Sequence, residues 1–385
     1  MRRSAQTIRI TAQLNDAVSG FHLWSQTYDR GLGDVLKLQS EIADAVAGAL
    51  RVTLLGSSAA TVELGSTHNP VAFDAYLRGL RLARTATTRD ECQVALDAFS
   101  QSIRTDPNYA LAYAHRAYTV WNCASHLTGD WLNKDPGEQA RSDAQRAISL
   151  APTLAEGYIA LGYLASGQLD FFAADQACQR ALALAPNNDQ VLRDCSNLAG
   201  EFGHFDTAVA LARRGVALDP LNALTHRALG DTLRYARRYP EAIAAYQEAV
   251  EMDKGHSAEA YARLGIVYFL MQDLAKAQSS CEARPDYFES RVCCALVYAK
   301  TNRQTDARAA LQRVVDQGGD GASYQYVQVH TQWGEHEQAL AWLEKAMRLR
   351  DPGLIYLRID PLLDPLRGEM RFRAVERQLK FPPAS

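Results

Sequence analysis

The sequence has no apolar run approaching the roughly 18 consecutive residues that a membrane-spanning helix needs. Met1-Arg2-Arg3 is followed by Ser-Ala-Gln-Thr rather than an apolar stretch, which argues against a secretory signal. A soluble, cytoplasmic chain without a membrane partner is therefore expected. Basic charge is not in excess. Lys and Arg number 41 against 44 Asp and Glu, so the net charge is -3 and no basic stripe for nucleic acid is expected. Phosphate-cradling and catalytic signatures are missing as well: there is no GxxxxGK(S/T), no GxGxxG after a strand, no HExxH and no GxSxG. The nine histidines are scattered, and His22, His204 and His330 have no second ligand three or four residues on. His256 near Glu259 and His336 beside Glu335 are ordinary for solvated helix ends. "GGDGAS", Gly318 to Ser323, reads as a turn. No metal, no cofactor and no catalytic set are expected.

Seven cysteines, an odd count with no CxxC pair, read as small core residues of a reduced protein. The adjacent Cys293 and Cys294 lack a nearby histidine or third cysteine that would make them a metal or redox site. Hydrophobic residues at 47% and charged residues at 22% place the chain among globular rather than disordered proteins. A length of 385 residues is too great for one ordinary compact domain but suits a repeat array.

Such repeats are present. Pro152, Pro186 and Pro220 stand 34 residues apart, as do Ala140, Ala174, Ala208 and Ala242. A third ladder runs Ala147, Ala181, Gly215, Ala249, and Gly162 and Gly230 lie two periods apart with Ser196 between them. The clearest unit, "AEGYIALGYLASGQLDFFAADQACQRALALAP", holds two helical stripes. Tyr158, Leu161, Gly162 and Ala165 share the first, Ala174, Ala177, Cys178 and Ala181 the second, and Ser166-Gly167-Gln168 separates them. Small residues belong where the paired helix axes cross closely, and proline ends the second helix. Gly265 and Ala277 continue the pattern at a step of 35, and Ala307 and Ala339 hold the helix-crossing alanine in later units. Earlier units carry insertions. Thr88 and Glu91 form a capping box, and "NCASHLTGDWLNK" is a detour, after which Asp135, Pro136 and Glu138 restart a helix.

These features resemble the tetratricopeptide repeat family, whose helix-turn-helix period is 34 residues. The resemblance implies a mainly α fold, a right-handed α-α superhelix, over residues 70–351 in about eight units. It also implies that the first helices line a concave groove. Registering the units on their glycines places Glu156, Tyr163, Arg193, Asn197, Arg227, Asp231, Arg234 and Arg263 on that face. Four arginines there would grip a carboxylate or an acidic peptide; the competing reading is solvated arginines paired with neighbouring Glu and Asp. The set is loosely similar to the carboxylate clamp of chaperone-binding relatives. It departs from it, since Arg replaces Lys and Ala228 stands where an asparagine belongs.

Before the array, Ile8, Ile10, Ala12 and Leu14 alternate with polar residues, "NDAVSG" turns, and "FHLWSQTY" returns. This gives a β-hairpin over 7–29, then an amphipathic helix over 34–53 and a linker over 57–69. "RITAQLNDAVSGFHLWSQTYDR" with "LQSEIADAVAGAL", and "DPLLDPLRGEMRF" near the end, resemble the TolB-like α/β domain and tail of bacterial signalling proteins. The resemblance implies that residues 1–56 are a truncated remnant of that domain, with Met1 falling inside it. In such relatives a class III cyclase or winged-helix domain lies upstream, and neither is visible here. Residues 352–385 would cap the array, with a helix from about Pro365. The expectation is a non-enzymatic scaffold for a protein or peptide partner. Its rivals are the regulatory C-terminal part of an adenylate/guanylate cyclase-type protein whose catalytic domain is absent, and a homodimer formed through the open hairpin edges.

Overall fold

The computed structural model describes residues 2–3, 7–15, 22–31, 41, 42, 45, 65–84, 86, 88–127, 135–253 and 258–382. Among them the helices form eight consecutive pairs. The first four are α1 Pro70–Ala83 with α2 Arg89–Thr105, α3 Ala110–Leu127 with α4 Asp135–Leu150, α5 Ala155–Gly167 with α6 Phe171–Leu184, and α7 Asp189–Glu201 with α8 Phe205–Leu218. The next four are α9 Ala223–Tyr235 with α10 Tyr239–Met252, α11 Ala258–Leu270 with α12 Leu274–Glu282, α13 Phe288–Lys300 with α14 Gln304–Gly318, and α15 Ser323–Trp333 with α16 His336–Leu349. Each pair packs on the next, giving an α-helical repeat solenoid of the tetratricopeptide type.

Local chemistry sets the helix ends. Asn69, Asn188 and Asn222 cap first helices by accepting backbone N–H bonds. Thr88 and Glu91 satisfy each other's backbone donors at 3.3 and 3.1 Å, the reciprocal box that starts α2. "NCASHLTGDWLNK" departs from the expected detour, because α3 continues through Asn122 to Leu127; the rest of it lies outside the described residues. The turn inside a unit has a signature that periodicity does not reveal. A left-handed residue recurs at Leu169, Gly203, Arg237, Gln272, Asn302 and Gly334. Four of these six have side chains, so the tight turn holds them against their backbone preference.

Small residues sit where the axes meet. Ala140, Ala174, Ala208 and Ala242 are fully buried, as are Ala307 and Ala339. A Cβ on Gly162 would lie 3.2 Å from Leu198 and 3.5 Å from the Ala174 carbonyl oxygen. At Gly230 it would lie 2.6 Å from the ring of Tyr246, itself fully buried. Gly230→Ala therefore overpacks the crossing of α9 and α10 and is expected to cost about 1–3 kcal/mol, read as a lower urea midpoint by circular dichroism. An unchanged midpoint would mean that the Tyr246 ring moves aside freely.

The cysteines correct the expectation of free thiols. Cys92–Cys123, Cys178–Cys195 and Cys281–Cys293 are paired, with Cα atoms 6.1, 5.6 and 5.7 Å apart, and Cys294 is free and buried. Each pair joins the second helix of one unit to the first helix of the next. The close packing of successive units at those junctions brings the sulfurs together.

At the N-terminus the sheet has a third strand beyond the expected two. β1 Arg2–Arg3 pairs with β2 Thr7–Asn15, which pairs antiparallel with β3 His22–Gly31. Arg9 and Asp29 form a bidentate ion pair at 2.6 and 2.8 Å across the exposed face, and Tyr28 is buried. Of the helix expected over 34–53, Glu41, Ile42 and Ala45 are described and helical, and the remainder lies outside the described residues. The same holds for the linker before Gly65.

The C-terminal segment does more than cover the last unit. Two 3-10 turns, Pro352–Tyr356 and Pro361–Leu366, precede α17 Met370–Leu379, so the helix begins later than Pro365. Asp360 caps the second turn by accepting from the Leu362 N–H at 2.9 Å. The segment then folds back over the first helices. Arg237 donates to both carboxylate oxygens of Asp364 at 2.6 and 2.8 Å, Tyr356 stacks on Tyr235 at 5.2 Å, and Phe381 stacks on Phe171 at 4.7 Å. Leu354, Leu357, Leu363 and Leu366 are fully buried against α15, α16 and α17.

Candidate functional site

The first helices of the middle units and the returning C-terminal segment enclose a cavity of about 240 Å³. Of the eight groove positions, Tyr163, Arg193, Asn197, Arg227, Asp231, Arg234 and Arg263 line it. Glu156 does not; it lies in the first turn of α5, where burial raises its pKa.

At one end Tyr163 stacks on Trp121 with ring centroids 4.0 Å apart and meets Tyr118 edge-on at 5.4 Å. Its hydroxyl donates to Asp194 Oδ1 at 3.2 Å and accepts from Asn197 Nδ2 at 3.2 Å. Arg193 pairs with Asp194 at 3.2 Å. Burial nevertheless outweighs this arginine and raises the Asp194 carboxyl above its usual range.

At the other end the arginines cluster. Arg227 is ion-paired with Glu259, and Arg263 donates to the same carboxylate at 3.3 Å. The Tyr246 hydroxyl donates to Asp231 at 2.7 Å. Arg263 and Arg234 approach Asp231 only to 3.7 and 3.9 Å. Burial opposes the charge on Asp231, but the guanidinium groups of Arg263, Arg234 and Arg227 prevail and hold its pKa below the usual carboxylate range. Arg234 lies over the Tyr235 ring at 4.0 Å and is 2% exposed. The reading of arginines paired with neighbouring acids thus describes Arg193, Arg227 and Arg263, and Arg234 only through its long ion pair with Asp231 at 3.9 Å.

Register on the glycine ladder finds arginines on the first helices and Asp231, but not their other partners. It misses Asp194, Glu259 and Trp121, and it cannot find Ile355 and Tyr356, which reach the cavity from beyond the array. Glu201 is missed as well. It is buried at the end of α7 and accepts from the Ser166 hydroxyl at 2.6 Å; burial, against that hydrogen bond, pushes its pKa up to about 7. Among the described residues no group of three or more His, Cys, Asp and Glu could hold a metal ion. Nor is any described helix long and apolar enough to cross a membrane.

Tetratricopeptide-repeat family models match residues 196–255, 227–286 and 321–351. These segments are tetratricopeptide repeats. The chain is 30% identical over 166 residues to a Rhizobium meliloti (strain 1021) protein named "Putative adenylate cyclase 3", covering 42% of this chain and 27% of that one. It is 32% identical over 99 residues to small glutamine-rich tetratricopeptide repeat-containing protein 2 of Mycosarcoma maydis, covering 26% and 28%. The chain thus spans little more than a quarter of the length of these curated relatives. The human IFIT1 dimer with PPP-AAAA is similar at a TM-score of 0.54 and 15% identity over 72% of each chain, a likeness of fold alone.

Proposed function

We propose that this chain is a non-enzymatic scaffold that binds a protein or peptide partner at the concave face of its repeats, within bacterial signalling in the cytoplasm. One observation carries the reading: the tetratricopeptide units converge seven of the eight groove positions on one surface. The C-terminal segment narrows where the partner sits. A peptide threaded along the whole groove would expel Ile355 and Leu362, which line it and are buried, at about 1.5–3 kcal/mol each. The partner therefore meets the mouth of the cavity, where Arg193, Arg227 and Arg263 remain 12 to 23% exposed. An acidic side chain is the complement to these forks.

The test is capture from bacterial lysate by the wild-type chain and by an Arg193→Gln, Arg227→Gln variant of equal helicity. A partner held by the wild type and weakened about tenfold or more in the variant is expected. Equal retention by both baits would move recognition off this face.

A second reading has its own support in the match to the adenylate cyclase named above. Here the chain is the regulatory part of a cyclase-type protein carrying a TolB-like domain. It predicts that the purified chain, added to the catalytic domain of such a protein, changes its cyclic-nucleotide output. No change at saturating chain would end this reading.

A further inference from the structure

Buried arginine is costly unless its N–H groups find acceptors, because guanidinium carries five donors and no acceptor of its own. Three arginines that line the cavity fall short. Arg227 Nε, Arg263 Nε and both Nε and Nη2 of Arg234 are buried without a hydrogen-bond partner. Asp231 lies 3.7 Å from Arg263 Nε and 3.9 Å from Arg234 Nη2, beyond hydrogen-bond reach, and is already engaged by Tyr246. All three side chains line the same cavity. Native interiors seldom leave so many donors idle in one place, and such a cluster calls for an acceptor.

We propose that the cavity is a binding site for a small molecule carrying one oxyanion group, a carboxylate or a phosphate, on an apolar or aromatic body. The oxyanion would take the free N–H groups of Arg227, Arg234 and Arg263, in the forked geometry that planar guanidinium offers. Charge sets the limit of one such group. Asp231, Glu259 and Glu289 stand among the three arginines and equal them in number, so the positive and negative charges there are matched. A polyanion would find no net positive field there, whereas one oxyanion finds donors without acceptors. The apolar part follows from the rest of the lining, where Trp121, Tyr163, Ile266 and Tyr356 offer rings and a branched side chain. The cavity of about 240 Å³ has room for roughly eight water-sized groups.

This site shares Arg227 and Arg263 with the partner-binding mouth and is set apart from it by Arg234. Arg234 is 2% exposed and lines the cavity together with Ile355 and Tyr356 of the returning segment, so it offers no surface to a macromolecular partner. Sodium benzoate and phenyl phosphate test the two possible headgroups, with benzyl alcohol as the uncharged control. Each is titrated into the full chain by isothermal calorimetry and followed by thermal melting. Because no protein partner is present, the result is independent of the scaffold reading. Saturable one-to-one binding of at least one anion, weakened about tenfold or more by Arg234→Gln and not matched by benzyl alcohol, is expected. Arg263→Lys keeps a cation in place but removes the Nε–H, and it carries the comparison if glutamine at 234 unfolds the chain. Two results would overturn the proposal: neither anion saturates the wild-type chain, or a folded variant binds as tightly as wild type.

Discussion

Phe372→Ala lowers the stability of the C-terminal third by about 3–5 kcal/mol, the range for removing a buried aromatic ring from a core that cannot collapse around the gap. Phe372 is fully buried and packs with Leu340, Leu343, Leu363 and Leu366, so one ring joins α16, α17 and the second 3-10 turn. A solenoid's stability is approximately a sum over units and their interfaces, so a loss at one end need not spread evenly. The expected urea profile therefore separates into two steps. Trp333 and Trp342, which pack near this end, report the earlier one. The first units unfold later, as helicity measured by circular dichroism. A single transition shifted by less than about 1 kcal/mol would show that α17 merely rests on the array.

Glu201→Gln has the opposite sign and depends on pH. Burial raises the Glu201 pKa from 4.5 to about 7 in the folded chain, so the fold prefers the protonated acid. Stability from this group is fully present below pH 4.5 and is lost as pH rises through 7. Each pKa unit is worth about 1.4 kcal/mol, so the loss at pH 8 reaches about 3 kcal/mol. Glutamine keeps an acceptor for the Ser166 hydroxyl and carries no charge to bury. The variant should match wild type near pH 4.5 and exceed it by up to about 3 kcal/mol at pH 8. Asp351 is raised to about 6 by burial, against backbone N–H bonds from Gly353 and Tyr324, and works in the same direction. It is untouched by the substitution, so both proteins still lose stability between pH 4 and 6. A gap between the two proteins that is the same at both pH values would refute ionisation as the cause.

The array was legible because close packing leaves few choices. Where two axes cross under a fully buried Tyr246 glycine is required, and against a carbonyl oxygen a small residue is, and the ladders record that. The intra-unit turns were less legible. The conformation that would announce itself as glycine is held by Leu169, Arg237, Gln272 and Asn302, because the turn between packed helices dictates the backbone there. The cysteine pairs were not legible at all, since separations of 31, 17 and 12 residues share no period. The site was half legible. A periodic pattern places Arg193 and Arg227 on one face, but Arg234 is set apart by its missing acceptor, and that is a matter of three dimensions. The roof of the cavity lies outside the repeat, where register has nothing to extend.

The Arg237–Asp364 pair closes a loop of 127 residues and, with Tyr356 on Tyr235 and Phe381 on Phe171, ties back a fold whose repeats otherwise touch their neighbours. Closing such a loop costs chain entropy that local packing does not, so it comes late in folding. During synthesis each unit can settle on the one before it as the chain emerges, while the cavity stays an open trough. It becomes a chamber only after Tyr356 has left the ribosome and stacked on Tyr235. The order of synthesis thus gives the molecule a stage, early in its life, in which its interior is still accessible.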